Sequence, residues 1–127
     1  MNKKFLIESD IIASHLVAEK DISSDLMNLM QKGICFTTII NAAELLHAAD
    51  GDSQIKVVRD VLNALKVLGL NSRYALKIPE FKNQIKSIRD ILVLIVAKSN
   101  NLPIITNEKS RYKGIEMEIY NPQEIGG

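Results

Sequence analysis

Four acidic residues stand where an apolar run ends or begins. Glu8 follows Phe5-Leu6-Ile7, Glu44 lies about two helical turns beyond Ile34-Cys35-Phe36-Thr37-Thr38, Asp90 opens Ile91-Leu92-Val93-Leu94-Ile95-Val96-Ala97, and Glu108 follows Leu102-Pro103-Ile104-Ile105-Thr106. Asp10 lies just past Glu8. In an open parallel sheet the ligand site lies beyond the carboxyl ends of the strands, so these segments are expected to converge there. Carboxylates brought together repel and raise one another's pKa unless a cation offsets them, which calls for a divalent metal. All-oxygen ligation favours Mg2+ or Mn2+, ions that complete their shells with water and phosphate oxygens. Phosphodiester hydrolysis is the chemistry such a site would do.

Each acid also has a local reading. Ser87-Ile88-Arg89-Asp90 fits a capping box, Asn41-Ala42-Ala43-Glu44 is a looser variant, Asp10 fits a cap on the helix after the first strand, and Glu108 fits a plain turn. Other chemistries lack their signatures. There is no Gly-rich phosphate loop, paired-cysteine motif or Gly-x-Ser-x-Gly elbow, and His15 and His47 have no histidine partner at zinc spacing. Glu44-Leu45-Leu46-His47 puts a carboxylate and an imidazole on one helix face, but a di-iron site needs a second copy.

The elements that must position these acids follow from periodicity. Residues 5–7, 34–38 and 102–106 read as buried strands, with a weaker fourth around 117–120 before Asn121-Pro122. Between them, Leu26, Leu29 and Met30, then Leu45, Leu46 and Ala49, then Val57, Val58, Val61, Leu62 and Leu65 repeat at helical spacing. Residues 88–97 are apolar almost all round and read as a buried helix entered from the polar stretch 82–89. Strands alternating with helices predict an α/β fold with a parallel sheet.

The length, 127 residues, predicts one domain, 1–127, able to build its core without metal or disulfide staples. Cys35, the single cysteine, lies between Ile34 and Phe36 and is expected to be buried and inert, which suits a reducing compartment. No apolar run approaches the length of a membrane span, and the chain is expected to be cytoplasmic. The net charge of +1 argues against nonspecific coating of nucleic acid, yet it conceals a gradient. Residues 1–60 carry six Lys and Arg against nine Asp and Glu, a net of −3, whereas the remainder carries ten against six, a net of +4. Lys86, Arg89 and Lys109, in that later half, are the candidate phosphate contacts.

Taken in order, these segments resemble the PIN domain, a family of small metal-dependent ribonucleases that includes the VapC toxins of toxin–antitoxin pairs. Phe5-Leu6-Ile7-Glu8-Ser9-Asp10-Ile11-Ile12 is similar to the opening strand and acid, and Thr37-Thr38-Ile39-Ile40-Asn41-Ala42-Ala43-Glu44-Leu45 to the second motif. Asp90 with its apolar helix resembles the third, Thr106-Asn107-Glu108 the fourth, and Asn121-Pro122 the closing pair. The resemblance implies a three-layer α/β/α fold around a parallel sheet of about four or five strands. It implies an Mg2+- or Mn2+-dependent endoribonuclease in which Glu8, Glu44, Asp90 and Glu108 hold the metal and act in catalysis. Asp10, Thr38 and Thr106 would support them. A homodimer is implied too, and a cognate antitoxin whose C-terminal segment blocks the acidic groove; the apolar faces of the helices between Ser23 and Leu70 fit either a dimer surface or core packing. Glu stands at 8 and 108 where the family has Asp, a displacement on the scale of 1 Å that can cost roughly a hundredfold in rate. The alternative reading is a catalytically weakened PIN-like module that acts through a protein partner.

Overall fold

The computed structural model describes residues 3–19 and 23–126. Strand β1 (Lys3–Ile7) leads into helix α1 (Ser9–Leu16), and α2 (Asp25–Lys32) into β2 (Gly33–Thr38). Helices α3 (Ile39–Ala48) and α4 (Gly51–Asn63) lead to β3 (Lys66–Leu68), and a 3-10 segment (Ser72–Glu80) precedes α5 (Ile88–Ser99). Two-residue strands β4 (Ile104–Ile105) and β5 (Ile119–Tyr120) flank a 3-10 turn at Lys109–Tyr112. The five strands form one parallel sheet in the order β3-β2-β1-β4-β5.

Strand alternation divides the core. Phe5 and Ile7 face one layer with Ile11, Ile12, Leu26, Leu29, Leu45, Val58 and Leu62, while Leu6 faces the other with Ile91, Leu94, Ile95 and Tyr112. Helices α1 to α4 therefore cover one face and α5 the other, giving the expected three layers. Helix α5 has the burial that its composition predicts: Asp90, Ile91 and the five residues from Val93 to Ala97 are all buried. Cys35 is also buried, and loss of solvation pushes its thiol up to about 11, which keeps it protonated and unreactive near neutrality.

Some boundaries differ from expectation. Lys66-Val67-Leu68 pairs with residues 36–38 as an edge strand, although only three residues long and largely exposed, so no alternation marks it in the sequence. The strand expected over 102–106 is reduced to Ile104–Ile105, and that over 117–120 to Ile119–Tyr120. The caps differ too. Glu8 occupies the N-cap of α1 without a side-chain cap bond, Thr38 and Asn41 form the capping box of α3, and Ser87 caps α5 by accepting from the Asp90 amide. Neither Glu44 nor the Asp90 carboxylate is used in capping, which leaves both free for longer-range partners.

β1 and β2 are held in register where Lys3 faces Gly33. The extended backbone at Gly33 suits any residue, but a Cβ there would lie 2.4 Å from the Lys3 carbonyl oxygen. Because that neighbour is backbone, it yields only if the strands part. Gly33→Ala is therefore expected to destabilise the chain by about 1–3 kcal/mol, read as a lower urea midpoint at unchanged m; an unchanged midpoint would show that the register is not this tight.

Candidate active site

β1 is the middle strand, so the direction in which successive connections leave the sheet changes beside it, between its end and that of β4. Such a switch point opens a crevice at the carboxyl edge. Glu8 stands at that edge directly after β1, Glu44 projects from the second turn of α3, and Asp90 from the first turn of α5. Three acids separated by dozens of residues meet there around one guanidinium, that of Arg89.

The contacts of Arg89 are specific. Its Nη2 donates to Glu8 Oε1 at 2.7 Å and Glu44 Oε1 at 2.8 Å, and its Nη1 to Glu8 Oε2 and Asp90 Oδ1 at 3.0 Å each. Nε donates to Glu44 Oε2 at 3.1 Å. The five N–H groups of the fork thus reach five carboxylate oxygens. Arg111 adds a second cation, 3.5 Å from Asp90 Oδ1 and 2.8 Å from Glu108 Oε2.

Glu8 is 1% exposed, and an ionised carboxylate so buried must have all its lone pairs met. Asn41 Nδ2 donates to Oε1 at 2.7 Å and the Tyr112 hydroxyl donates to Oε2, beside the two Arg89 bonds. Thr38 fixes Asn41 in turn: its hydroxyl donates to Asn41 Oδ1 at 2.6 Å and accepts from the Asn41 amide. Burial, and then the adjacent Glu8 charge, drive the Tyr112 phenol far above its ordinary pKa, so it remains a donor. Burial opposes the charge on Arg89, but hydrogen bonds to Glu44 and Glu8 outweigh it and raise its pKa. Burial likewise raises Glu44, yet hydrogen bonds from Arg89 and Ser9 and the nearby arginine charges carry it below the ordinary carboxylate value.

The donor set is all oxygen, the type that Mg2+ and Mn2+ take, so its chemistry fits such an ion. Its spacing is that of a guanidinium. Among the described residues no three Asp, Glu, His or Cys side chains are placed to share one metal ion.

The other residues singled out from sequence divide into three groups. Glu108 sits at the rim, half-exposed, joined to the cluster through Arg111. Asp10 points away from it: Oδ2 accepts from the Thr106 hydroxyl at 3.0 Å and the Asn107 amide at 2.7 Å, and the Thr106 hydroxyl accepts from the Glu108 amide at 3.0 Å. Asp10 and Thr106 therefore hold the loop that carries Glu108. Lys86 is exposed ahead of α5, and Lys109 is paired with Glu124 at 2.8 Å, whereas Arg89 lies within the carboxylates and not on an open surface. Asn41, Ser9 and Tyr112 belong to the site but were not singled out. Asn41 shares a helix face with Glu44 one turn away, a signal the sequence holds; Tyr112 has no periodic neighbour to mark it.

Asp10→Ala would unpair Thr106 and the Asn107 amide. The expected cost is about 1–3 kcal/mol, with faster amide hydrogen exchange at residues 106–108 than elsewhere; uniform exchange across the chain would show that this link does not hold the loop.

Comparison with known proteins places this geometry. No curated protein matches the sequence. A toxin–antitoxin complex from Klebsiella pneumoniae superposes with a TM-score of 0.76 at 17% identity, covering 95% of this chain and 99% of that one. VapBC2 from Rickettsia felis, bound to a promoter DNA fragment, gives 0.73 at 18% identity over 93% and 97%, and VapBC-1 from nontypeable Haemophilus influenzae 0.76 at 16% over 95% and 99%. At these identities the likeness is one of fold. The PIN domain model, however, matches residues 6–113 in sequence, from the strand that carries Glu8 to the turn that carries Tyr112. The chain belongs to the PIN domain family.

Proposed function

We propose that the chain is a metal-dependent endoribonuclease, of the kind that serves as the toxin of a toxin–antitoxin pair. The observation that carries this reading is the meeting of Glu8, Glu44 and Asp90, from three separate segments, at the carboxyl edge of a parallel sheet. PIN domains are generally nucleases, and the similar structures named above are toxin–antitoxin complexes.

Glu8, Glu44 and Asp90 would hold Mg2+ or Mn2+, with Glu108 completing the set from the rim. When bound, such an ion supplies Lewis-acid activation of water and offsets charge on the scissile phosphate. The chain's own groups do the rest. Asn41 and Tyr112 fix the Glu8 carboxylate, so its orientation needs no rearrangement at the moment of reaction. Asp90 takes both arginines on Oδ1, which leaves Oδ2 as the proton acceptor for the attacking water. Lys86, exposed ahead of α5, and Lys109, once released from Glu124, would contact phosphates of the RNA backbone.

Partners follow from the same reading. An antitoxin protein is the proposed regulator. A homodimer is the proposed assembly, with Met27, Met30, Ile39 and Val57, exposed on the helices between residues 23 and 70, offered as its surface, although Val17, Leu76 and Ile88 are exposed outside that span. Among the described residues no helix is long and apolar enough to cross a membrane. The rival, a module with weakened catalysis acting through a protein partner, is favoured by one observation: the guanidinium of Arg89 already bonds all three acids.

RNA cleavage decides between them. Structured and unstructured RNAs are expected to be cut with Mg2+ or Mn2+, and cutting is expected to fall at least about a hundredfold on adding EDTA or in Asp90→Asn. Cleavage that survives both would sink the site assignment, and none in the wild type would favour the partner-binding module. Lys86→Glu and Lys109→Glu are each expected to weaken RNA binding and reduce the slope of log affinity against log salt by about one; an unaltered slope removes that lysine from the interface.

A further inference from the structure

We propose that Arg89 is a built-in counter-cation of the acidic centre, which keeps it closed to a divalent ion until the guanidinium is withdrawn. This rests on the nuclease reading of the same site and concerns how that site is loaded. The two oxygens of Glu8 receive four donors, from Asn41, Tyr112 and twice from Arg89, which fills the capacity of a carboxylate. A hard cation at Glu8 must therefore displace one of them.

The three donors are not equally able to leave. Asn41 is fully buried and locked by Thr38, and Tyr112 is 2% exposed, so moving either would strand a polar group in the core. Arg89 lies on the solvent side of the first turn of α5, with its side chain 20% exposed and the neighbouring Ile88 in water. Its long stem can swing out without breaking the helix, and the guanidinium hydrates where it emerges. Withdrawal releases lone pairs on both oxygens of Glu8, both of Glu44 and Oδ1 of Asp90, all lining the volume the fork had filled. Arg89 and a divalent cation thus compete for one set of oxygens. Metal loading is a conformational exchange, and the apparent affinity is the intrinsic one multiplied by the fraction of molecules in which Arg89 is withdrawn.

Titration calorimetry with Mn2+ on the full chain, as wild type, Arg89→Met and Arg89→Lys, tests this, with circular dichroism to confirm folding. Arg89→Met is expected to bind Mn2+ about tenfold or more tightly than wild type, and Arg89→Lys, which keeps the charge but loses the fork, to fall between them. Should the methionine variant fail to fold, nuclear magnetic resonance of the wild-type Arg89 Nε–H decides: diamagnetic Mg2+ should turn a guanidinium with hindered rotation into a freely rotating one. Equal Mn2+ affinity in all three proteins, or an Arg89 signal that ignores bound Mg2+, would overturn the proposal while leaving a metal-dependent nuclease intact. No Mn2+ binding by any folded variant would overturn both.

Discussion

A carboxylate buried at the end of the central strand is the constraint on which the rest of the site depends. Placing an ionised Glu8 out of water costs several kcal/mol unless every lone pair is met. The chain meets them from three directions, with Asn41 on α3, Arg89 on α5 and Tyr112 on the turn after β4. Those elements come from both faces of the sheet. The helices that make two separate hydrophobic layers are therefore tied together at one edge by one side chain, and the tie fixes where Glu44 and Asp90 must stand. Stability and the placing of the acids are one arrangement here, since removing Glu8 would strand the buried Tyr112 hydroxyl and take two of the five carboxylate bonds from Arg89.

The parts of this legible in the sequence are those that local physics decides. Phe5-Leu6-Ile7 ends at an acid, and both the strand and the acid are where the pattern puts them. The nearly continuous apolar run after Asp90 is a buried helix, as its composition requires. Strand β3 was not legible because an exposed edge strand of three residues needs no apolar face. The capping readings of Glu44 and Asp90 failed for a related reason: Thr38 and Ser87 already satisfy the helix ends, so the acids are not required there. Arg89 was marked as a cation able to meet phosphate, but its sign of charge alone does not say which anion it meets. That depends on tertiary distances to residues 81 and 45 positions away, and no spacing rule carries those.

The edge beyond β4 shows how a two-residue strand can still position chemistry. Ile104 and Ile105 are fully buried, but the chain then leaves the sheet, and Glu108 would be free to wander. Asp10, in the first turn of α1, takes up the Thr106 hydroxyl and the Asn107 amide, so the loop after β4 is bound to the helix after β1. An acid here does mechanical work for its neighbours. Its Oδ2 is directed at a backbone amide and a hydroxyl, not at Arg89.

The glutamates at positions 8 and 108 are used in opposite ways. At position 8 the carboxylate stands directly beyond the end of β1. There it meets donors from three elements and is sealed at 1% exposure. At position 108 the carboxylate is turned outward, to Arg111, with more than half of the side chain in solvent. The first sets a carboxylate deep within the cluster, and the second holds one at its rim. A centre built this way has a fixed, fully bonded inner acid and a loosely held outer one, with Arg89 and Arg111 bridging the distance between them. Its response to any incoming cation is therefore set first by the arginines and only then by the carboxylates.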